Sequence, residues 1–214
     1  MNRSKESVLA TLQSEKVIAL IRVESSDSLL ECANALAEGG LSCIELTMTT
    51  LGAISMTARM RRELPKIMLG LGTVLDGETA RAGIAAGAKF IVTPAVRPEV
   101  IAVCREANIP ILCGALTPTE INSAWEHGAD VVKVFPAEFF GPSYIKSIKA
   151  PFPGIKLLPT GGVTPETLGD FLKAGAFATA AGSALISVSA LKSGDWGAIT
   201  ARARQFVAAA AAKA

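Results

Sequence analysis

The 214 residues are enough for one α/β domain, and half of them are hydrophobic, so a sizeable core can form although aromatics make up only 5%. Lys and Arg total 21 against 19 Asp and Glu, and the formal charge is +2 with both signs mixed along the chain, which argues against a basic nucleic-acid stripe or a polybasic membrane patch. No run of 18 apolar residues is available to span a membrane, so neither nucleic acid nor membrane is an expected partner.

In chain order, residues 1–16 (MNRSKESVLATLQSEK) are polar and amphipathic, with a helix expected over about 4–15 and no apolar stretch of the kind a secretion signal needs. Short apolar runs follow at 17–22, 43–47, 67–73, 90–94, 110–114, 131–135, 156–160 and 178–183, each too short for a helix and largely aliphatic. Helical patterns fill the intervals at 27–39, 52–64, 77–87, 97–107, 118–128, 142–149, 165–175 and 195–212. Thr164 before Pro165 and Thr117 before Pro118 have the form of N-caps with proline at the first helical position. Gly39, Gly87, Gly128 and Gly175, with Asn108 once, stand where helices need left-handed C-terminal caps.

Strand and helix alternating in this way require parallel strands joined by crossover helices, and eight units favour a closed (β/α)8 TIM barrel over an open doubly wound sheet. The expectation is therefore one α/β domain over 1–214, with an extra N-terminal helix within 1–16 and an Ala-rich tail at 207–214. The four cysteines, Cys32, Cys43, Cys104 and Cys113, have no metal-ligand or C-x-x-C spacing, and are expected as buried thiols in a reducing cytoplasm.

Barrel chemistry sits at the C-terminal ends of the strands. Side chains alternate along a strand, so if Val132 and Val134 pack under helices, Lys133 turns into the barrel. The same reasoning on Ile44 and Leu46 turns Glu45 inward. Two unlike charges inside one barrel form either a structural ion pair or a catalytic one. Apolar neighbours favour the neutral amine, which is the nucleophile that imine chemistry needs, and Glu45 would then move protons. Thr160, Gly161 and Gly162 end the seventh run, and Gly182 and Ser183 end the eighth. In barrels these two loops often hold phosphate through backbone N–H groups. G-L-G-T at 70–73 lacks the full spacing of a nucleotide loop and is discounted. His127, at a helix C-terminus, reads as a cap or solvent group, Trp125 and Trp196 as packing or subunit contacts, and Glu138 as solvent-facing. Phe139 and Phe140 fit either the substrate mouth or a subunit interface.

The ordered blocks GGLSCIELT, GLGTV, AKFIVTP, CGALTPTE, VVKVFPAEFFGPSYIKSIKAPFP, LLPTGGV and AGSAL resemble the 2-keto-3-deoxy-6-phosphogluconate (KDPG) and 4-hydroxy-2-oxoglutarate (KHG) aldolase family. The resemblance runs from about residue 17 to 183 and is most specific around Lys133. It implies a cytoplasmic homotrimeric class I lyase of the Entner–Doudoroff type, which needs no metal or cofactor beyond a covalent imine on Lys133. It further implies reversible cleavage of KDPG to pyruvate and glyceraldehyde 3-phosphate, with Glu45 as general acid/base. Thr47, Thr73, Pro94 and Phe135 are implied at the pyruvyl pocket, and Thr160, Gly161, Gly162, Gly182 and Ser183 at the phosphate. Many members carry an arginine four residues after the glutamate, where this chain has Thr49, and Arg22 is the replacement cation expected at the same rim. That departure leaves the galactonate epimer, or 4-hydroxy-2-oxoglutarate, as alternative substrates. Outside the family, the alternatives are a phosphate-binding barrel isomerase using acid/base chemistry, and a ligand-binding barrel without catalysis.

Overall fold

The computed structural model describes residues 4–23 and 28–212. The first residue of the helix expected over 27–39, residues 1–3 of the N-terminal segment and the last two of the Ala-rich tail lie outside the described residues. The first half of the chain runs α1 (Lys5–Glu15), β1 (Val17–Ile21), α2 (Leu29–Glu38), β2 (Cys43–Thr47), α3 (Ala53–Glu63), β3 (Met68–Gly72), α4 (Gly77–Ala86), β4 (Ile91–Val92) and α5 (Pro98–Glu106). The second half runs β5 (Ile111–Ala115), α6 (Pro118–Glu126), β6 (Val131–Val134), α7 (Gly141–Lys149), β7 (Leu157–Pro159), α8 (Pro165–Lys173), β8 (Thr179–Ala181), α9 (Val188–Ser193) and α10 (Trp196–Ala211).

The eight strands are paired in parallel in the order β7-β6-β5-β4-β3-β2-β1-β8. A parallel bridge from Thr160 to Ala180 brings the two ends of the sheet together, giving the expected (β/α)8 barrel with one helix ahead of it. The expected caps also form. Thr117 and Thr164 each make a reciprocal capping box, and Pro118 and Pro165 open their helices. Asn108, Gly87, Gly128 and Gly175 are left-handed. Gly39 is not: its φ is −77°, and the left-handed residue is Gly40. Gly39 is needed for another reason, since a Cβ there would lie 2.3 Å from Ala203 Cβ on α10. The helix α9 has no counterpart in the sequence reading. At six residues it is too short to show a helical period, and it is started by the Ser187 hydroxyl accepting from Ala190 N.

The core divides into two layers, as the alternation of side chains requires. Ile44, Leu46, Val132 and Val134 pack outward under the helices. Ile18, Cys43, Met68, Phe90, Val92, Leu112, Val131 and Leu158 fill the barrel interior. Val8 and Leu12 of α1 join that inner cluster, so the helix closes the end where the strands begin. Lys5 pairs with Asp130 at 2.7 Å, and Glu15 accepts from Ser42 N and Cys43 N, which holds the plug in place. Trp125 and Trp196 are half-buried and pack against the outer cluster. His127 caps α6, with Nδ1 2.7 Å from Ser123 O. All four cysteines are free and buried, and burial pushes the Cys32 and Cys104 thiols up to about 12.

Glycines decide how closely the inner layer packs. A Cβ at Gly70 would lie 2.1 Å from the Phe90 ring, so this inward position of β3 must be bare for Phe90 to fill the barrel. Gly70→Ala is expected to destabilise the fold by about 1–3 kcal/mol through overpacking. In denaturant unfolding, Gly70→Ala combined with Phe90→Leu should lose less than the sum of the two single changes, and strict additivity would contradict this contact.

Candidate active site

Lys133 projects into the barrel from β6, and Glu45 from β2. Lys133 Nζ is 3.5 Å from Glu45 Oε1, with side-chain exposures of 7% and 0%. This is an ion pair by distance but not a hydrogen bond, because both Glu45 oxygens are buried with no hydrogen-bond partner among the described residues. A buried carboxylate that serves stability normally has its lone pairs filled, since each unfilled one carries its full desolvation cost. The pair is therefore poorly built as a structural bridge. It is well placed to receive an incoming polar group. On its other side Lys133 Nζ stands 5.6 Å from the centroid of the Phe135 ring.

Space for these side chains comes from bare backbone. A Cβ at Gly72 would lie 2.0 Å from Glu45 Oε1, so the end of β3 is glycine because the carboxylate occupies that volume. Thr73 follows with φ +59°, a left-handed conformation that is costly for a β-branched residue and tends to persist where a site depends on it. On the neighbouring strand β5, Gly114 is the register partner of Lys133. A Cβ at Gly114 would lie 2.2 Å from the Pro94 carbonyl carbon. Thr93 fixes that turn: its hydroxyl accepts from Gly114 N and donates to Ala95 O. The two glycines of the G-L-G-T block thus make room for Phe90 and Glu45.

Past the strand ends lies a cavity of about 360 Å³. Arg22, Phe135, Thr160, Gly161, Gly162, Gly182 and Ser183 all line it, so seven of the expected site residues converge on one volume. Gly161 and Gly162 have φ values of +99° and +68°, so the turn after β7 requires glycine at both positions. Successive N–H groups in such turns form anion-binding concavities. Thr160 N donates to Val134 O, and Thr160 O accepts from Ala137 N, which ties this turn to the strand that carries Lys133. Thr47, buried on β2, shares a 2.8 Å hydroxyl contact with Thr49, and Thr49 lines a neighbouring cavity together with Arg22. Among the described residues, Arg22, Phe135 and the two glycine-bearing turns line this cavity, whereas Lys133, Glu45, Thr47, Thr73 and Pro94 are not part of its lining.

Some of this lining was not visible in the sequence. Leu20, Val188 and Leu191 wall the mouth, the last two from the unexpected α9. Glu138 is solvent-exposed, as expected, and lines the cavity as well. The single 3-10 turn over Ala137–Phe139 sets it beside Gly161 and Gly162. The contact depends on a turn too short to leave a periodic signal.

Comparison with known proteins places this geometry. The family model described as KDPG and KHG aldolase matches residues 8–202. A 2-dehydro-3-deoxy-phosphogluconate aldolase of Treponema pallidum (strain Nichols) is 34% identical over 200 residues, covering 93% of this chain and 95% of its own length. The solved structure of native KDPGal superposes with a TM-score of 0.86 at 31% identity, over 92% of this chain and 95% of the other. A KDPG aldolase from Legionella pneumophila, solved with pyruvate captured at low pH as a covalent carbinolamine intermediate, has a TM-score of 0.85 at 27% identity over 92% of this chain and 96% of its own. With a family match across nearly its whole length, the chain belongs to the KDPG and KHG aldolase family of carbon–carbon lyases.

Proposed function

We propose that this enzyme is a class I aldolase that cleaves 2-keto-3-deoxy-6-phosphogluconate reversibly to pyruvate and glyceraldehyde 3-phosphate through an imine on Lys133. The observation that carries the reading is a buried amine 3.5 Å from a fully buried carboxylate whose oxygens have no hydrogen-bond partner among the described residues. Lys133 Nζ adds to the C2 ketone, and the carbinolamine loses water to give the protonated imine. Glu45 supplies the proton that leaves with that water. It then takes the proton of the C4 hydroxyl as C3–C4 breaks, the bonding electrons moving into the imine to leave an enamine. The aldehyde departs, Glu45 returns a proton to C3, and hydrolysis of the imine frees pyruvate and the amine. Thr47, Thr73, Pro94 and Phe135 frame the pyruvyl part. Thr160, Gly161, Gly162, Gly182 and Ser183 hold the phosphate through turn N–H groups and a hydroxyl.

Arg22 is the cation of this rim in our reading. It lines both the glycine-bearing cavity and the one containing Thr49, and so stands between the family's expected arginine position and the phosphate turn. We also read the chain as a cytoplasmic homotrimer of the Entner–Doudoroff type. Leu51, 80% exposed, and Phe139, 75% exposed, are apolar surface that a partner copy would cover. Four free, buried cysteines fit a reducing compartment.

Borohydride reduction in the presence of pyruvate should leave one reduced pyruvyl group on the Lys133 peptide, detected by mass spectrometry, and none in Lys133→Ala. An unmodified peptide from folded wild-type protein would sink the imine mechanism. Glu45→Gln should lower kcat by about a hundredfold or more, the usual worth of a positioned acid/base, while pyruvate is still trapped slowly. Arg22→Ala should raise KM for the keto acid by about tenfold or more, as expected for loss of a hydrogen bond to a charged group. An unchanged KM would remove Arg22 from substrate binding.

A further inference from the structure

The mouth of the site carries charges of both signs, and the mechanism uses only one. Arg22 and Glu138 line the same cavity, yet among the described residues neither belongs to an ion pair. Glu138 also stands against the turn that the phosphate is expected to occupy. A Cβ on Gly161 would lie 3.5 Å from Glu138 Oε2, and a Cβ on Gly162 only 2.7 Å from Glu138 Cβ. The absence of a side chain at Gly162 therefore lets Glu138 approach, as well as permitting the turn. The approach is fixed from the other side by Ala137 N donating to Thr160 O at 2.9 Å.

A carboxylate beside an anion turn is a liability for a ligand that is only an anion. It becomes an asset when the ligand also carries a donor next to its anionic group. Turn N–H groups, Ser183 and Arg22 offer donors, and Glu138 is an acidic acceptor within the lining. A phosphomonoester with a hydroxyl on the adjacent carbon satisfies both. A bare phosphate leaves the acceptor unused, and a distal carboxylate is repelled by it.

We propose that Glu138 is a specificity-determining residue that accepts a hydrogen bond from the hydroxyl next to the phosphate-bearing carbon, which is C5 of the cleaved keto acid and C2 of the aldehyde product. This rests on the aldolase reading above and adds the chemistry that selects the aldehyde. It makes the enzyme prefer hydroxylated, phosphorylated aldehydes over both deoxy and carboxylate-ended ones.

The test is the condensation direction, with pyruvate and two aldehydes that differ only in this hydroxyl: glyceraldehyde 3-phosphate and 3-oxopropyl phosphate. Glu138→Ala should lower kcat/KM for glyceraldehyde 3-phosphate by about tenfold or more, the loss expected for a hydrogen bond to a charged acceptor. The same change should cost the deoxy aldehyde much less. Glu138→Gln keeps an acceptor of the same length and should recover part of the loss. An equal loss on both aldehydes would assign Glu138 to loop structure, and no loss on either would leave it outside the site; both overturn the proposal. Borohydride trapping of pyruvate on wild-type Lys133, run alongside, separates failure of this proposal from failure of the imine reading, because trapping does not involve the aldehyde.

Discussion

The Lys133–Glu45 pair sets the terms for the upper half of the barrel. Two charged groups have been moved out of water to within 3.5 Å of each other, and among the described residues one of them has no hydrogen bond to offset its desolvation. Such a pair needs room in a barrel interior that is otherwise close-packed. The room comes from Gly72, whose missing Cβ is replaced by the carboxylate, and from Gly114, whose missing Cβ lets the Pro94 turn close in opposite Lys133. A side chain at Gly72 would collide with the Glu45 carboxylate, and one at Gly114 with the Pro94 turn, while Gly70 is bare for the Phe90 ring.

The layers below provide the stability that this arrangement uses up. Val8 and Leu12 of α1 plug the strand-start end, where Met68, Phe90, Leu112 and Val131 join them in the inner apolar cluster. Met68 and Val131 open their strands and Phe90 lies just before β4, while Glu45, Lys133 and the glycine turns lie toward the strand ends. The same strands therefore supply both functions, divided by height within the barrel. The division also restricts approach to the amine to the open end. At that end, past the strand ends, lies the cavity lined by Arg22, Glu138 and the glycine turns.

Much of this was legible because it follows from period-two alternation. Ile44 and Leu46 outward imply Glu45 inward, and Val132 and Val134 outward imply Lys133 inward; both hold. Helix starts were legible because a hydroxyl before a proline has one good use, as Thr117 and Thr164 demonstrate. Three features were not legible, each for its own reason. Gly39 looked like a helix cap, but its lack of a side chain answers to Ala203, which is distant in sequence. The helix α9 is shorter than the window a helical period needs, yet its Val188 and Leu191 wall the mouth. Glu138 has the composition of a surface residue, and its place at the site depends on a three-residue turn pinned to Thr160.

At Thr49, where the resemblance to the family raises the expectation of an arginine, the short hydroxyl side chain meets Thr47 at 2.8 Å. Thr47 is fully buried on the Glu45 strand. Arg22 reaches both neighbouring cavities, on the side of the glycine turns. With that cation and Glu138 on one cavity wall, a donor and an acceptor stand side by side, which is the pairing that our proposed reading of a hydroxyl beside an anion requires.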